Sequence, residues 1–238
     1  MATQTLTNSK LWMSEYDLSG DLNAIAADYG AELKDNTTFG DSTRSNQGGL
    51  KEAKMSLSGY WQSTPDAFLF NQIGVSGEPM TCSPQTGADG EVAFTMKALA
   101  GNYNPGGAVG DMFAFDVTGH ASKSPMVRGT IMHNATRTAS GNGTARQLGA
   151  VSSTQKLYCA IHVISASGTS PTLDVIVQSD DNGSMTTPVT VATFTQATGT
   201  TSEWVEVSGA ITDDYLRVNY TLGGTSPSFE FIVILGIF

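Results

Sequence analysis

At 238 residues the chain is long enough for one large β domain or two small ones. Only 14% of residues are charged, 39% are hydrophobic and 26 are Gly, a balance that excludes a helical bundle and a disordered polymer. With 12 basic against 22 acidic residues, net −10, the chain lacks the Lys and Arg surplus that gripping nucleic-acid phosphates requires.

Met1 to Ser14 is polar, with Leu11, Trp12 and Met13 as anchors. It reads as an arm that docks on a neighbour or as a frayed terminus. Asp17-Leu18-Ser19-Gly20 follows. From Asp21 to Leu33, helical spacing (Leu22, Ile25, Ala26, Tyr29) competes with alternation (Asn23, Ile25, Ala27, Tyr29). Of the two, a strand is preferred. Residues 35–51 carry Asn, Asp, Gly, Ser and Thr with few apolar anchors, so a long polar loop is expected, and such loops are usually functional. Lys54 to Trp61 alternates Met55, Leu57 and Trp61 against polar residues, the pattern of a half-buried strand.

One helix is predicted next. Thr64 caps it, Pro65 takes the first helical position, Asp66 favours the positive helix start and Gly74 stops it. Strands are expected over Glu91–Leu99, Met112–Val117 and Val127–Met132, with a turn at Asn104-Pro105-Gly106-Gly107. The polar run from His133 to Thr144 reads as a boundary, dividing residues 1–134 from a second β module, 135–238.

In the second part Leu157–Ile164, Leu173–Gln178, Val189–Phe194, Trp204–Val207 and Leu216–Leu222 read as strands. Asn182-Gly183 marks a hairpin. Gly168-Thr169-Ser170-Pro171-Thr172-Leu173 is echoed by Gly224-Thr225-Ser226-Pro227-Ser228-Phe229, two equivalent turns before apolar strands of one sandwich. Phe229 to Phe238 is apolar on both faces past Phe231, so it lies in the middle of the core or under another chain.

The residues carry little chemistry. His120, His133 and His162 are dispersed and read as surface or strand-face residues, with no metal-binding spacing. No nucleophile elbow, phosphate loop or dinucleotide fingerprint is present, and Asp180-Asp181-Asn182-Gly183 lacks the alternate acids of a calcium loop. Catalytic residues, metal ligands and cofactors are expected to be none. Cys82 and Cys159 read as small semi-buried hydrophobes in a reducing cytosol. The first residues lack the features of a signal peptide, and no apolar run reaches membrane-spanning length.

Asp17-Leu18-Ser19-Gly20, Thr38-Phe39-Gly40-Asp41, Gly49-Leu50-Lys51 and Leu57-Ser58-Gly59-Tyr60-Trp61, in that order, resemble the N-terminal region of major tail (tail tube) proteins of long-tailed, non-contractile, siphovirus-like bacteriophages. Gly48 departs from the Pro usual in that family's glycine element. The likeness fades by about Met132; beyond His133 the chain resembles, more loosely, β-sandwich modules appended to virion proteins.

The resemblance implies a mainly β fold: a tail-tube sandwich or barrel with one short helix, then a second β-sandwich on the tube exterior. It implies a structural, non-enzymatic virion protein of the tail, assembled in the host cytoplasm into stacked hexameric rings. DNA would pass through the lumen without specific binding. Other tail proteins (tape measure, terminator, distal tail) would be partners, and no membrane would be involved. A ring-stacking loop over residues 38–54 would use Thr38, Phe39, Gly40, Asp41, Arg44, Gly48, Gly49, Leu50 and Lys51, and an N-terminal arm would contribute Leu11, Trp12 and Met13. The alternative is a capsid decoration or glycan-binding surface protein whose second module presents aromatic faces to sugars.

Overall fold

The computed structural model describes residues 7–238; Met1–Leu6 of the expected arm lie outside the described residues. The fold is mainly β, as the composition indicates, with one short helix. In chain order the elements are β1 (Lys10–Met13), β2 (Tyr16–Asp17), β3 (Leu22–Asp35), β4 (Asn46–Tyr60), α1 (Ser63–Asn71), β5 (Ser76–Ser83), β6 (Val92–Gly106) and β7 (Ala114–Ala121). There follow β8 (Val127–Arg137), β9 (Gly141–Asn142), β10 (Arg146–Gln147), β11 (Lys156–Asp180), β12 (Val189–Thr193), β13 (Thr201–Ser208) and β14 (Tyr215–Ile237).

Contacts gather the chain into two compact units. One comprises residues 7–20, 77–95 and 127–238; the other comprises residues 21–76 and 96–126. This differs from a linear division at residue 134. The reason is strand pairing. β8 runs through that point to Arg137 and pairs with the end of β14, Ile232 opposite Asn134 and Phe231 opposite Ala135. β1 pairs with β5, Leu11 opposite Cys82, which ties the start of the chain to the same unit.

The first unit is organised by one antiparallel ladder. β11 and β14 pair from Leu157–Ile237 to Asp180–Tyr215. Leu157, Cys159, Ile161 and Val163 from one half of β11, and Leu173, Val175 and Val177 from the other, fall in one hydrophobic core with Phe229, Phe231, Val233 and Leu235. A straight strand of that length would hold its halves far apart, so the ladder bends over on itself. Register shifts between Val163 and Ser165, Ser167 and Thr169, and Thr169 and Thr172 supply the bend.

The repeated Gly-Thr-Ser-Pro segments meet at that bend, Thr169 opposite Thr225. They are corners within continuous strands rather than turns before separate ones. Gly224 has φ +97, and a Cβ on it would lie 2.4 Å from the Ser170 carbonyl oxygen. Gly168 repeats this from the other strand, φ +122 and 2.8 Å from the Ser226 oxygen. Only glycine fits that close approach.

Ile232 and Ile234 point to the opposite face of β14, into a second core cluster with Trp12, Ala93, Ile131 and Ala160. The final strand is thus central and buried on both faces, as its all-round apolarity predicts. Cys82 and Cys159 are free, and buried outright rather than semi-buried.

His133 and His162 lie on strands but are fully buried rather than surface residues. The His162 Nδ1–H donates to the Ser14 carbonyl oxygen at 2.7 Å. Its Nε2 accepts from the Thr81 hydroxyl at 2.8 Å, and Thr95 donates to Thr81 at 2.8 Å. Burial lowers the His162 pKa to about 4, so the network holds a neutral ring.

Candidate assembly surface

The second unit carries the motif-rich stretch. Its sheet runs β3–β4–β7–β6: β3 pairs with β4 from Leu22–Gly59 to Asp35–Asn46, β4 with β7 from Lys54–His120 to Tyr60–Ala114, and β7 with β6 from Ala121–Ala98 to Ala114–Gly106. The strand preferred over Asp21–Leu33 is present. Residues 38–54 are not a loop, since only Asn36–Ser45 lies outside the strands. Backbone pairing carries the extended conformation through segments whose side chains are polar.

Along β4 the burial changes character. Ala53, Met55, Leu57 and Gly59 are buried at alternate positions where β7 lies alongside, while Asn46–Glu52 is exposed throughout. β3 is exposed over nearly its whole length and has β4 as its described partner. Among the described residues, Tyr29 aside, no further strand pairs with its outer edge, which offers backbone N–H and C=O groups as a template for another strand. Leu33 and Leu50 are 71% and 84% exposed. The hairpin carries charges of both signs, with an Asp28–Lys54 pair at 3.7 Å and a Glu32–Lys34 pair. A concavity of about 760 Å³ lies against Asp28, Tyr29, Glu32, Leu50, Lys51 and Lys54.

The turn at the tip is satisfied from within. The Thr37 N–H and hydroxyl donate to Asp35 Oδ1 at 2.9 and 2.5 Å, and the Ser45 N–H donates to the Thr37 hydroxyl at 3.0 Å. These bonds lower the Asp35 pKa. The Thr38 N–H donates to Asp41 Oδ2 at 2.8 Å, and the Asp41 N–H returns to the Thr38 carbonyl at 3.2 Å. Gly40 closes the turn at φ +106. The Thr-Phe-Gly-Asp spacing is thus a self-capped turn whose Phe39 projects wholly into water.

The structure therefore separates the candidate residues. Thr38, Phe39, Gly40, Asp41 and Arg44 lie in the tip turn, and Gly48, Gly49, Leu50 and Lys51 in the exposed half of β4. All nine belong to one hairpin. Leu11, Trp12 and Met13 do not form a free arm. They are β1 of the first unit, at most 3% exposed, because β5 pairs with them and Trp12 packs in the second core cluster. Asp17-Leu18-Ser19-Gly20 closes that strand: the Ser19 N–H donates to Asp17 Oδ1 at 2.8 Å, and the Leu11 N–H donates to the Ser19 hydroxyl at 2.9 Å.

Helix α1 begins two residues ahead of Pro65, which is buried with Leu69, while Phe70 is exposed. Asp66 accepts from the Tyr103 hydroxyl at 2.6 Å and from Trp61 Nε1–H at 2.8 Å, which lower its pKa. Trp61 lies one residue past β4 and is exposed rather than on the buried face. Sequence reading also missed that Val109, Met112 and Phe113 face solvent; the glycines at 106, 107 and 110 were the signal that a loop, not a strand, holds them. Among the described residues no group of three or more His, Cys, Asp or Glu is placed to hold a metal.

No family model matches the chain, and no curated protein matches it. Among solved structures it is similar to the Dit protein of phage SPP1, described as a paradigm of the hub adsorption apparatus in phages infecting Gram-positive bacteria. Identity is 12% and the TM-score 0.41, over 97% of this chain and 99% of that one. A chain of a native gene transfer agent virion matches with 13% identity and TM-score 0.39, over 52% of this chain and 98% of that one. A chain of the sheath–tube complex of an extracellular contractile injection system does so with 13% and 0.39, over 51% and 88%. All three TM-scores lie below 0.5, and function is read from the chain itself.

Proposed function

We propose that this chain is a structural subunit of a bacteriophage tail that polymerises with copies of itself, forming the stacked, hexameric rings of a tail tube. The observation that carries the reading is the β3–β4 hairpin. It is a long ladder with an open backbone edge and exposed Leu33, Phe39 and Leu50, built from the segments whose order resembles tail tube proteins. An exposed two-stranded ribbon is marginal in water and invites pairing with another chain. Symmetric closure satisfies such edges without leaving new ones. A net charge of −10 suits a lumen along which DNA slides without adhering. In this reading the subunit belongs to the virion tail and meets the tape measure, terminator and distal tail proteins at the tube's contents and ends.

Glycan recognition by residues 135–238 has no comparable support. Trp204 is half-buried, Tyr220 is buried, and no Trp or Tyr after residue 134 is exposed. Negative-stain microscopy of the concentrated, purified protein tests the proposal, with tubes of uniform diameter expected. Monodisperse globular particles at every salt and protein concentration, together with virions whose tails lack the chain, would overturn it.

A further inference from the structure

Two arginines of the first unit, Arg137 at the end of β8 and Arg146 at the start of β10, gather about the loop between β5 and β6. Both are half-buried. The Arg146 guanidinium lies against Gly90, on which a Cβ would stand 2.5 Å from its Nη1. Arg137 turns back along β8, and its Nε–H donates to His133 Nε2 at 3.5 Å. Asp89 is their common neighbour, and its Oδ1 accepts from the Asn134 N–H at 2.6 Å. Burial raises the Asp89 pKa, against the Asn134 bond and the field of both guanidinium groups. Neither arginine forms an ion pair among the described residues. Glu91, the other acid of this loop, is committed within it, accepting from the Thr86 hydroxyl and the Ala88 N–H at 3.0 Å each.

Unused donors accumulate here. The Arg146 Nε–H is buried without a hydrogen-bond partner among the described residues, and so is His133 Nδ1. Because Arg137 donates to Nε2, the His133 proton sits on Nδ1. Burial and Arg137 lower the His133 pKa to about 4, so near neutral pH the ring adds a dipole and no charge. Buried donors without acceptors are costly and rare in native folds. Two guanidinium forks without a carboxylate to grip match an oxyanion, which each can hold through parallel N–H···O bonds. Asp89 decides which oxyanion. Its Oδ2 has no partner among the described residues. A carboxylate repels a fully ionised oxyanion such as sulfate but accepts a hydrogen bond from one that keeps a proton. Hydrogen phosphate offers both: charged oxygens for the arginines and an O–H for Asp89. A phosphodiester has no proton to give, so the nucleic-acid backbone is refused.

We propose that Arg137, Arg146 and Asp89 form a binding site for a phosphate group that retains a proton, clasped between the β5–β6 loop, the end of β8 and β10. The bound group ties β10, a strand of two residues, to the body of the unit. The site stands on the first unit alone and does not depend on assembly.

Titration calorimetry of the full chain with sodium phosphate, near neutral pH and at constant ionic strength, tests this. Saturable binding at one site per chain is expected, with sulfate and dimethyl phosphate at least about tenfold weaker. Arg137→Gln and Arg146→Gln are each expected to weaken phosphate by at least about tenfold. Asp89→Asn keeps an acceptor for the Asn134 N–H and removes the charge that rejects sulfate, so it is expected to bind sulfate more tightly than the wild type does, a gain that misfolding cannot produce. Glycerol phosphate, titrated alongside, identifies the source: tighter binding than inorganic phosphate assigns the site to an esterified phosphate, weaker binding to the free ion, and either upholds it. No saturable phosphate binding by the wild type, equal affinity for sulfate, binding unchanged in both arginine variants, or no gain of sulfate in Asp89→Asn would overturn the proposal.

Discussion

Two antiparallel ladders dominate this molecule, and they are opposites. β11–β14 is flanked by further strands at both ends and buried on both faces through its terminal half. β3–β4 is flanked only where β7 reaches Lys54–Tyr60, and beyond that point almost every residue faces water. The backbone hydrogen bonding is the same in kind. What differs is burial, which makes one ladder the fold and leaves the other as a surface looking for a partner.

The contrast breaks most severely at Phe231. Its ring is fully buried, with centroids 4.3 Å from His133 and 5.5 Å from Tyr220. Phe231→Ala is expected to cost about 3–5 kcal/mol in chemical denaturation, by lost burial and the cavity left behind. Acid acts on the same ladder. Below pH 6.5 the unfolded chain binds a proton at His162, while the folded chain resists until about pH 4. The unfolded state binds more protons in that window, so stability falls as pH falls from 6.5 to 4, by on the order of 3 kcal/mol. Urea midpoints measured across that range check the slope, which is expected to shrink in His162→Gln.

At the bend, Gly224→Ala places a methyl group against the Ser170 carbonyl at a positive φ and is expected to cost about 1–3 kcal/mol. On the hairpin the scale collapses. Leu33→Ala, at a position 71% exposed, is expected to change unfolding by no more than about 0.5 kcal/mol while weakening polymerisation. A Leu33 effect as large as that of Phe231 would erase the distinction between the ladders.

Much of this was legible in the residues, for reasons that can be named. Alternation located β3, β4, β6, β7, β8 and the strands from β11 on, but not β1, β2, β5, β9 or β10, and the apolarity of Phe229 to Phe238 located the central one. The single helix was marked by Pro65 and Asp66. The hairpin was legible as a site but not as a ladder, because composition reports polarity whereas strand pairing depends on backbone groups that every residue carries. The fate of Leu11, Trp12 and Met13 was hidden because their partners, such as Cys82 and Ile234, lie far along the chain. The Gly-Thr-Ser-Pro echo was visible, yet only register shows that its copies face each other.

The measurement that tests the account most directly separates folding from assembly in one variant. Residues 31–51 are replaced by Asn-Gly, joining Gly30 to its paired neighbour Glu52 through a tight turn. The account predicts an unchanged denaturation midpoint together with complete loss of tubes in negative stain. Normal tubes, or a midpoint lowered as far as that of Phe231→Ala, would contradict it.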